Sequence, residues 1–180
     1  MILEELSVSL RDVILVLDPE DDEYDDNYVR WIKGPVWIAR GEPEEKTEIG
    51  HVELIYYNGS RAIDHSIDTV DVADSLGQPE FEYARVMYTD GFLDEELLSV
   101  AMSNDLLAVR SVSIAPEYWS RDYGLRVVRK MAETIGYRCA AVVLDGDVLS
   151  EAGIEAGGAP DNPNALVLHP TENPTIYRIE

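Results

Sequence analysis

Two hydrophobic periods alternate along this chain, and each change of period marks a new element. Period-two or continuous β-branched runs predict strands at Val8 to Leu17, Tyr28 to Ile32, Pro35 to Arg40 and Ile49 to Tyr57. The polar stretch Gly41 to Lys46 makes the last two an antiparallel hairpin with a loop of several residues. Asn58-Gly59 then marks a turn. Val70, Val72, Leu76, Phe81 and Val86 recur at helical spacing but are interrupted by Gly77 and Pro79, which predicts two short helices between Thr69 and Met87. Leu93 to Met102 has a helix pattern, and Leu106 to Ala115 returns to strand. Asp122 to Ile135 is the strongest helix, with Leu125, Val128, Met131, Ala132 and Ile135 on one face and Gly136 expected as its C-cap. Residues 138–144 form a short hydrophobic strand, and Ala165 to His169 with Thr175 to Ile179 make a closing hairpin across Pro170 and Pro174.

Mostly antiparallel strands with one embedded β-α-β crossover give an α+β class. The expected architecture is a central mixed, mostly antiparallel sheet flanked by helices, in a single domain over residues 1–180. At 180 residues and 46% apolar content the chain can bury a core of its own. No apolar run approaches the roughly 20 residues that span a bilayer. The first residues carry acids where a signal peptide would carry positive charge, so a cytoplasmic protein is expected. Cys139, the only cysteine, lies in a hydrophobic run and reads as a buried structural thiol.

Charge changes this picture more than composition does. There are 36 acids against 14 Lys and Arg, a formal net charge of −22. Such a field repels nucleic acid and anionic membranes and favours cationic partners. Three readings fit it: a strongly solvated, salt-tolerant surface, an interaction surface for a basic protein, or mimicry of a phosphate array. Seven acids fall within Asp18 to Asp26, which reads as a solvated acidic loop or a divalent-cation loop; it lacks the glycine and terminal glutamate of an EF-hand. Residues 153–164 are small and polar and read as a second loop. His65 and His169 stand apart in the sequence, and no metal site is assigned.

Most of the chemical signal sits between Ser111 and Arg129. A buried strand runs through a tight turn into an amphipathic helix. A helix start carries N–H groups without intrahelical partners and the positive end of the dipole, a common seat for phosphate. Pro116, Tyr118 and Gly124 stand where such a turn needs a proline, an aromatic and a glycine. Together with the element order over residues 30–145, this segment resembles the GNAT family of N-acetyltransferases. In that family's pattern a strand leads through proline and an aromatic into Gln/Arg-x-x-Gly-x-Gly/Ala, and the following helix receives the acetyl-CoA pyrophosphate. Pro116 and Tyr118 match the lead-in, and Gly124 matches the last small residue. Trp119 stands at the Gln/Arg position and Asp122 at the first glycine.

The resemblance implies acetyl-CoA as cofactor, held by Trp119, Ser120, Arg121, Asp122, Tyr123, Gly124 and Leu125. Strand backbone beyond Arg110, at Val112 and Ile114, would polarise the thioester carbonyl. Asp122 places a carboxylate where diphosphate oxygens would approach; at ~4 Å two unit charges repel by about 4 kcal/mol at an effective dielectric of ~20. Arg121, Arg126 and Arg129 are nearby compensators, and Asp122 has the alternative role of capping the helix. Trp119 reads either as a lid over a ligand or as packing for the turn. Acetylation needs a deprotonated amine, for which Glu53 and His51 on a central strand are base candidates, both also compatible with plain solvent-facing positions. The resemblance further implies a C-terminal tyrosine acid, and Tyr177 is the nearest, without the family's Tyr-x-x-x-Gly-Phe setting.

The expected function is acetylation of a primary amine on a cationic small molecule or a basic protein, with homodimerisation open and no nucleic-acid or membrane partner. The alternative is a non-catalytic acidic scaffold of the same type that binds or regulates a basic protein.

Overall fold

Residues 29–57 carry the longest alternating pattern and form the longest strand pair. A computed structural model describes residues 5–8, 11–13, 28–40, 45–93, 103–151, 168–171, 173 and 175–179. The acidic loop 18–26 and the polar loop 153–164 lie outside the described residues. So do residues 94–102 of the helix predicted from Leu93; Leu93 itself ends a two-residue strand.

The strands are β1 (Glu5–Val8), β2 (Arg11–Val13), β3 (Val29–Arg40), β4 (Glu45–Tyr57), β5 (Tyr88–Thr89), β6 (Phe92–Leu93), β7 (Leu106–Ile114), β8 (Ala141–Asp145), β9 (Leu168–Pro170) and β10 (Ile176–Ile179). The helices are α1 (Gly59–Asp64), α2 (Thr69–Leu76), α3 (Gln78–Met87), α4 (Tyr123–Thr134) and α5 (Gly146–Glu151), with 3-10 turns at Pro116–Arg121 and Gly136–Arg138. The main sheet runs β1-β3-β4-β7-β8-β10-β9, with β2 also on β3, and β5 pairs only with β6. Among the described residues only β7 and β8 pair in parallel, and the other pairs are antiparallel. This is the expected α+β class, a mixed and mostly antiparallel sheet flanked by helices.

The sheet is buried on both faces. One face packs Val52, Leu54, Leu107, Val109, Val112 and Val142 under Val127, Val128 and Met131 of α4. The other packs Ile55, Tyr57, Leu106, Ala108 and Val143 under Ala62, Val72, Ala73, Tyr83 and Ala84 of α1 to α3. Central β7 therefore reads as an uninterrupted apolar run, Leu106 to Val109 all being buried. Tyr56 and Tyr57 fall into opposite clusters, as strand alternation requires.

Several local expectations are corrected. The single strand expected at Val8 to Leu17 is divided between β1 and β2, and residues 14–17 lie outside the described residues. The two segments around Gly34 and Pro35 are one strand: β2 pairs with Trp31 to Lys33 and β1 with Val36 to Ala39, so Pro35 falls between them, where its missing N–H costs no ladder bond. Asn58-Gly59 opens a helix instead of a plain turn. The Asn58 side chain accepts the Arg61 N–H at 3.2 Å, and a Cβ on Gly59 would sit 2.2 Å from the Asn104 carbonyl oxygen.

Gly77 divides α2 from α3 as expected, with φ of +148°, a region almost reserved for glycine. Gly136 is not the C-cap of α4: Ile135 holds that place in right-handed geometry. Gly136 is needed for space, because a Cβ there would meet Val142 Cγ2 at 2.5 Å. The buried stripe of α4 is also turned from the expected one. Tyr123, Gly124, Val127, Val128 and Met131 are inside, while Leu125, Ala132 and Ile135 are half-buried.

Cys139 is buried, and that burial, with Asp105 nearby, pushes its thiol up to about 12 from 9.0. Burial likewise raises the Tyr57 and Tyr88 hydroxyls. In the unfolded chain the thiol releases its proton near the ordinary value while the folded chain retains it, so the unfolded state binds fewer protons there and stability falls as pH rises. Melting temperature is expected to drop progressively from about pH 9, and Cys139→Ala to flatten the first part of that slope; a melting temperature constant to about pH 11 contradicts it.

Candidate functional site

Ligands of open sheets sit outside the carboxyl ends of parallel strands, where the connections diverge. Here that place is the end of the β7–β8 pair. The two strands pair from Leu106 with Ala141 to Val109 with Leu144; β8 then ends at Asp145. From Ser111 to Ile114, β7 continues paired to β4 alone. The chain leaving β8 becomes α5, which packs against β7 and contributes buried Val148 and Leu149 to the α4-side core. Arg110 is the extra residue of a bulge, since Glu53 faces Ser111 while Leu54 faces Val109. Bulges at such places re-aim side chains.

β7 passes through Ala115 into the 3-10 turn and then α4. Such a turn spends each N–H on a carbonyl three residues back. Tyr118 N–H donates to the Ala115 carbonyl at 2.9 Å, and Asp122 N–H to the Trp119 carbonyl at 3.3 Å. Of the residues expected to hold the cofactor, Asp122 therefore has its N–H taken up inside the turn. Trp119 Nε1 donates to the Ile114 carbonyl at 2.7 Å, pinning the indole to the end of β7, while 42% of the residue stays exposed.

Asp122 stands at the N-cap position of α4 with φ of 54°, and its side chain makes no capping hydrogen bond. The capping role is thus not realised. Left-handed backbone explains instead why a short polar residue can replace the glycine that the resemblance places there. The first α-helical bond is Arg126 N–H to the Asp122 carbonyl at 3.0 Å. Ahead of it, Gly124 and Leu125 N–H have no acceptor within α4, and no side chain caps the helix.

The remaining expected residues fall as follows. Val112, Ile114 and Tyr123 are buried as whole residues in the α4-side core, so neither their side chains nor their backbone is exposed. Gly124 is buried, Leu125 half-buried and Asp122 exposed. Ser120 and Arg121 belong to the 3-10 turn by backbone, and their side chains lie outside the described residues. Arg126 is exposed, its guanidinium 5.3 Å from the Tyr123 ring centre.

Glu53 lies on the α1–α3 face of β4, because its neighbours Val52 and Leu54 face α4. Its carboxylate accepts from Lys33 Nζ at 2.8 Å, and Lys33 rests 4.5 Å from the Trp31 ring centre. Tyr177 packs on the opposite, α4-side cluster of β10, beside Gly146. Three strand spacings separate β4 from β10, about 14 Å. The structure does not bring these two residues together.

What the sequence did not single out is a polar group on the α3 side of the same strand ends. The Tyr83 hydroxyl is buried without a hydrogen-bond partner. Burial, with Asp145 and Asp147, raises its proton affinity, and Arg110 lowers it. The one legible signal was the Asp145-Gly146-Asp147 run closing a hydrophobic strand. Among the described residues no group of three or more His, Cys, Asp or Glu could hold a metal ion, and no helix is long and apolar enough to cross a membrane. No protein-family model matches the chain, and neither the curated proteins nor the solved structures give a match.

Proposed function

We propose that this chain is an acetyl-CoA-dependent N-acetyltransferase of the GNAT type that acylates a primary amine. The observation that carries the reading is the departure of β7 from β8 at Arg110, directly ahead of an uncapped helix start at the carboxyl end of the one parallel pair. The backbone of β7 from Arg110 to Ile114 has no β8 partner, and in this reading it takes the amides and thioester carbonyl of an extended acyl carrier once α5, which packs against β7, gives way. The N–H groups of Gly124 and Leu125 suit its diphosphate, aided by the helix dipole. In the transfer the amine nitrogen bonds to the acyl carbon, the carbon–sulfur bond breaks, and one proton passes from nitrogen to the departing thiolate. Glu53, on the α1–α3 face and paired with Lys33 at 2.8 Å, is the base candidate this reading retains. Tyr177, on the other face, is too remote from Glu53 to share the same proton path.

Asp122 is the feature that opposes binding. Asp122→Gly removes its charge and suits the left-handed backbone. Acetyl-CoA affinity is expected to rise about tenfold or more, less than the full unscreened repulsion because the carboxylate is exposed. Calorimetric titration of both forms, with release of free coenzyme A thiol in the presence of primary amines, tests the proposal. Unchanged affinity together with no thiol release removes it.

A second reading, an acidic scaffold without catalysis, is favoured by one observation: the 3-10 turn spends its N–H groups internally and leaves the exposed Asp122 carboxylate at the helix start. Thermal shift separates the two. Ligand at 100 times its dissociation constant adds about 2.7 kcal/mol to stability, whereas the scaffold responds to a basic protein at low salt and not to acetyl-CoA.

A further inference from the structure

Beside the strand ends, on the face away from α4, lies a group of side chains that the acyl-carrier reading does not use. Asp145 follows Leu144, which belongs to the α4-side core, so it projects to the α1–α3 side. Arg110 is the bulge residue one step beyond Val109, the register partner of Leu144. Arg110 and Asp145 thus occupy neighbouring positions on adjacent parallel strands, about 5 Å apart in the ladder direction. Asp147 is tied to them: its N–H donates to Asp145 Oδ1 at 3.1 Å. Tyr83 of α3, only 2% exposed, closes the group from above with a hydroxyl that has no hydrogen-bond partner.

Opposite charges so placed would ordinarily neutralise each other. No ion pair joins Arg110 to Asp145 or Asp147 among the described residues. Both signs nevertheless bear on the same hydroxyl, the acids raising its proton affinity beyond the effect of burial and Arg110 lowering it. A buried hydroxyl without a partner is costly to keep, and such groups persist at ligand sites. Arg presents a planar fork suited to a carboxylate, and two aspartates suit an ammonium.

We infer that Arg110, Tyr83, Asp145 and Asp147 bind a zwitterion of the amino-acid class, its carboxylate on Arg110 and its ammonium on the aspartates. As the identity of the acyl acceptor this rests on the transferase reading; as a binding site it does not. It narrows the cationic acceptor expected from net charge to one that also carries a carboxylate.

The test is calorimetric titration of the full chain, without acetyl-CoA, with L-lysine and with cadaverine, which is lysine without its carboxylate. Lysine is expected to bind about tenfold tighter or more. Arg110→Gln should abolish that preference, and Arg110→Lys, which keeps the charge but not the fork, should restore it only in part. Tyr83→Phe should weaken lysine binding while raising the melting temperature, because it removes an unpartnered hydroxyl; a purely structural Tyr83 would not couple the two. Circular dichroism and melting curves confirm that each variant is folded. Equal affinity for lysine and cadaverine, or a preference that survives in folded Arg110→Gln, overturns the inference.

Adding acetyl-CoA separates the two readings. Lysine bound without acetyl-lysine formed leaves the zwitterion site standing and removes the transferase. Acetylation of cadaverine with no preference for lysine does the reverse.

Discussion

Gly50→Ala is expected to destabilise the protein by about 3 kcal/mol, the upper part of the range for overpacking a filled interior. A Cβ at Gly50 would lie 1.9 Å from the Ser113 carbonyl oxygen and 3.0 Å from both Ile114 Cα and the Ser113 carbonyl carbon. All three are backbone atoms of the neighbouring central strand, so no side chain can swing aside. Gly50 pairs with Ile114 at the last rung of the β4–β7 ladder, and the next bond, Ala115 N–H to the Ile49 carbonyl at 2.8 Å, fixes the entrance to the 3-10 turn. Relieving the clash would push the end of β7 away and disturb the helix start as well. Urea denaturation gives the loss directly; a change below about 1 kcal/mol contradicts the packing described.

Asn104→Ala is expected to cost about 2–4 kcal/mol, from two buried groups left unpaired. Asn104 is 4% exposed. Its Oδ1 accepts the Leu93 N–H at 2.8 Å and its Nδ2 donates to the Gly91 carbonyl at 2.9 Å, which ties the β5–β6 hairpin to the start of β7. The backbone of Asn104 holds two further partners, Ser60 Oγ and the Tyr88 hydroxyl. Truncation removes only the side-chain bonds. Amide exchange should therefore accelerate first at Leu93, before global unfolding. Uniform acceleration across the sheet, or none at Leu93, contradicts this assignment.

The parts of the fold legible in the sequence were those whose signal is local. The β-branched and apolar positions of 106–115 read as a strand, and the 3.6-residue period of α4 with the Gly77 break between α2 and α3 needed no knowledge of neighbours. What escaped depends on partners distant in sequence. α1 is six residues long and is held by Asn58 and by Asp105, whose Oδ1 accepts the Ser60 N–H at 3.0 Å; read locally, Asn58-Gly59 is only a turn. Pro35 looked like a strand break because the gap between β1 and β2 is a property of pairing. Gly136 looked like a cap because glycine's need for space and its need for unusual φ are written with the same letter. At the candidate site, strand, turn and helix were legible between Ser111 and Arg129. The 3-10 bonding that spends the turn's N–H groups was not. Nor was the bulge that re-aims Arg110, since a register shift is defined only against β4. Alternation separates Tyr56 from Tyr57, but that Glu53 and Tyr177 lie on opposite faces follows only from which helices cover each strand.

The central claim is that the start of α4 receives a diphosphate through backbone, and amide chemical shifts report it residue by residue. Titration of ¹⁵N-labelled protein with coenzyme A should move the Gly124 and Leu125 amide resonances furthest, with smaller changes along β7 from Arg110 to Ile114. If those two amides stay fixed at millimolar coenzyme A while others move, or if none moves, the diphosphate seat is not there and the transferase reading fails with it.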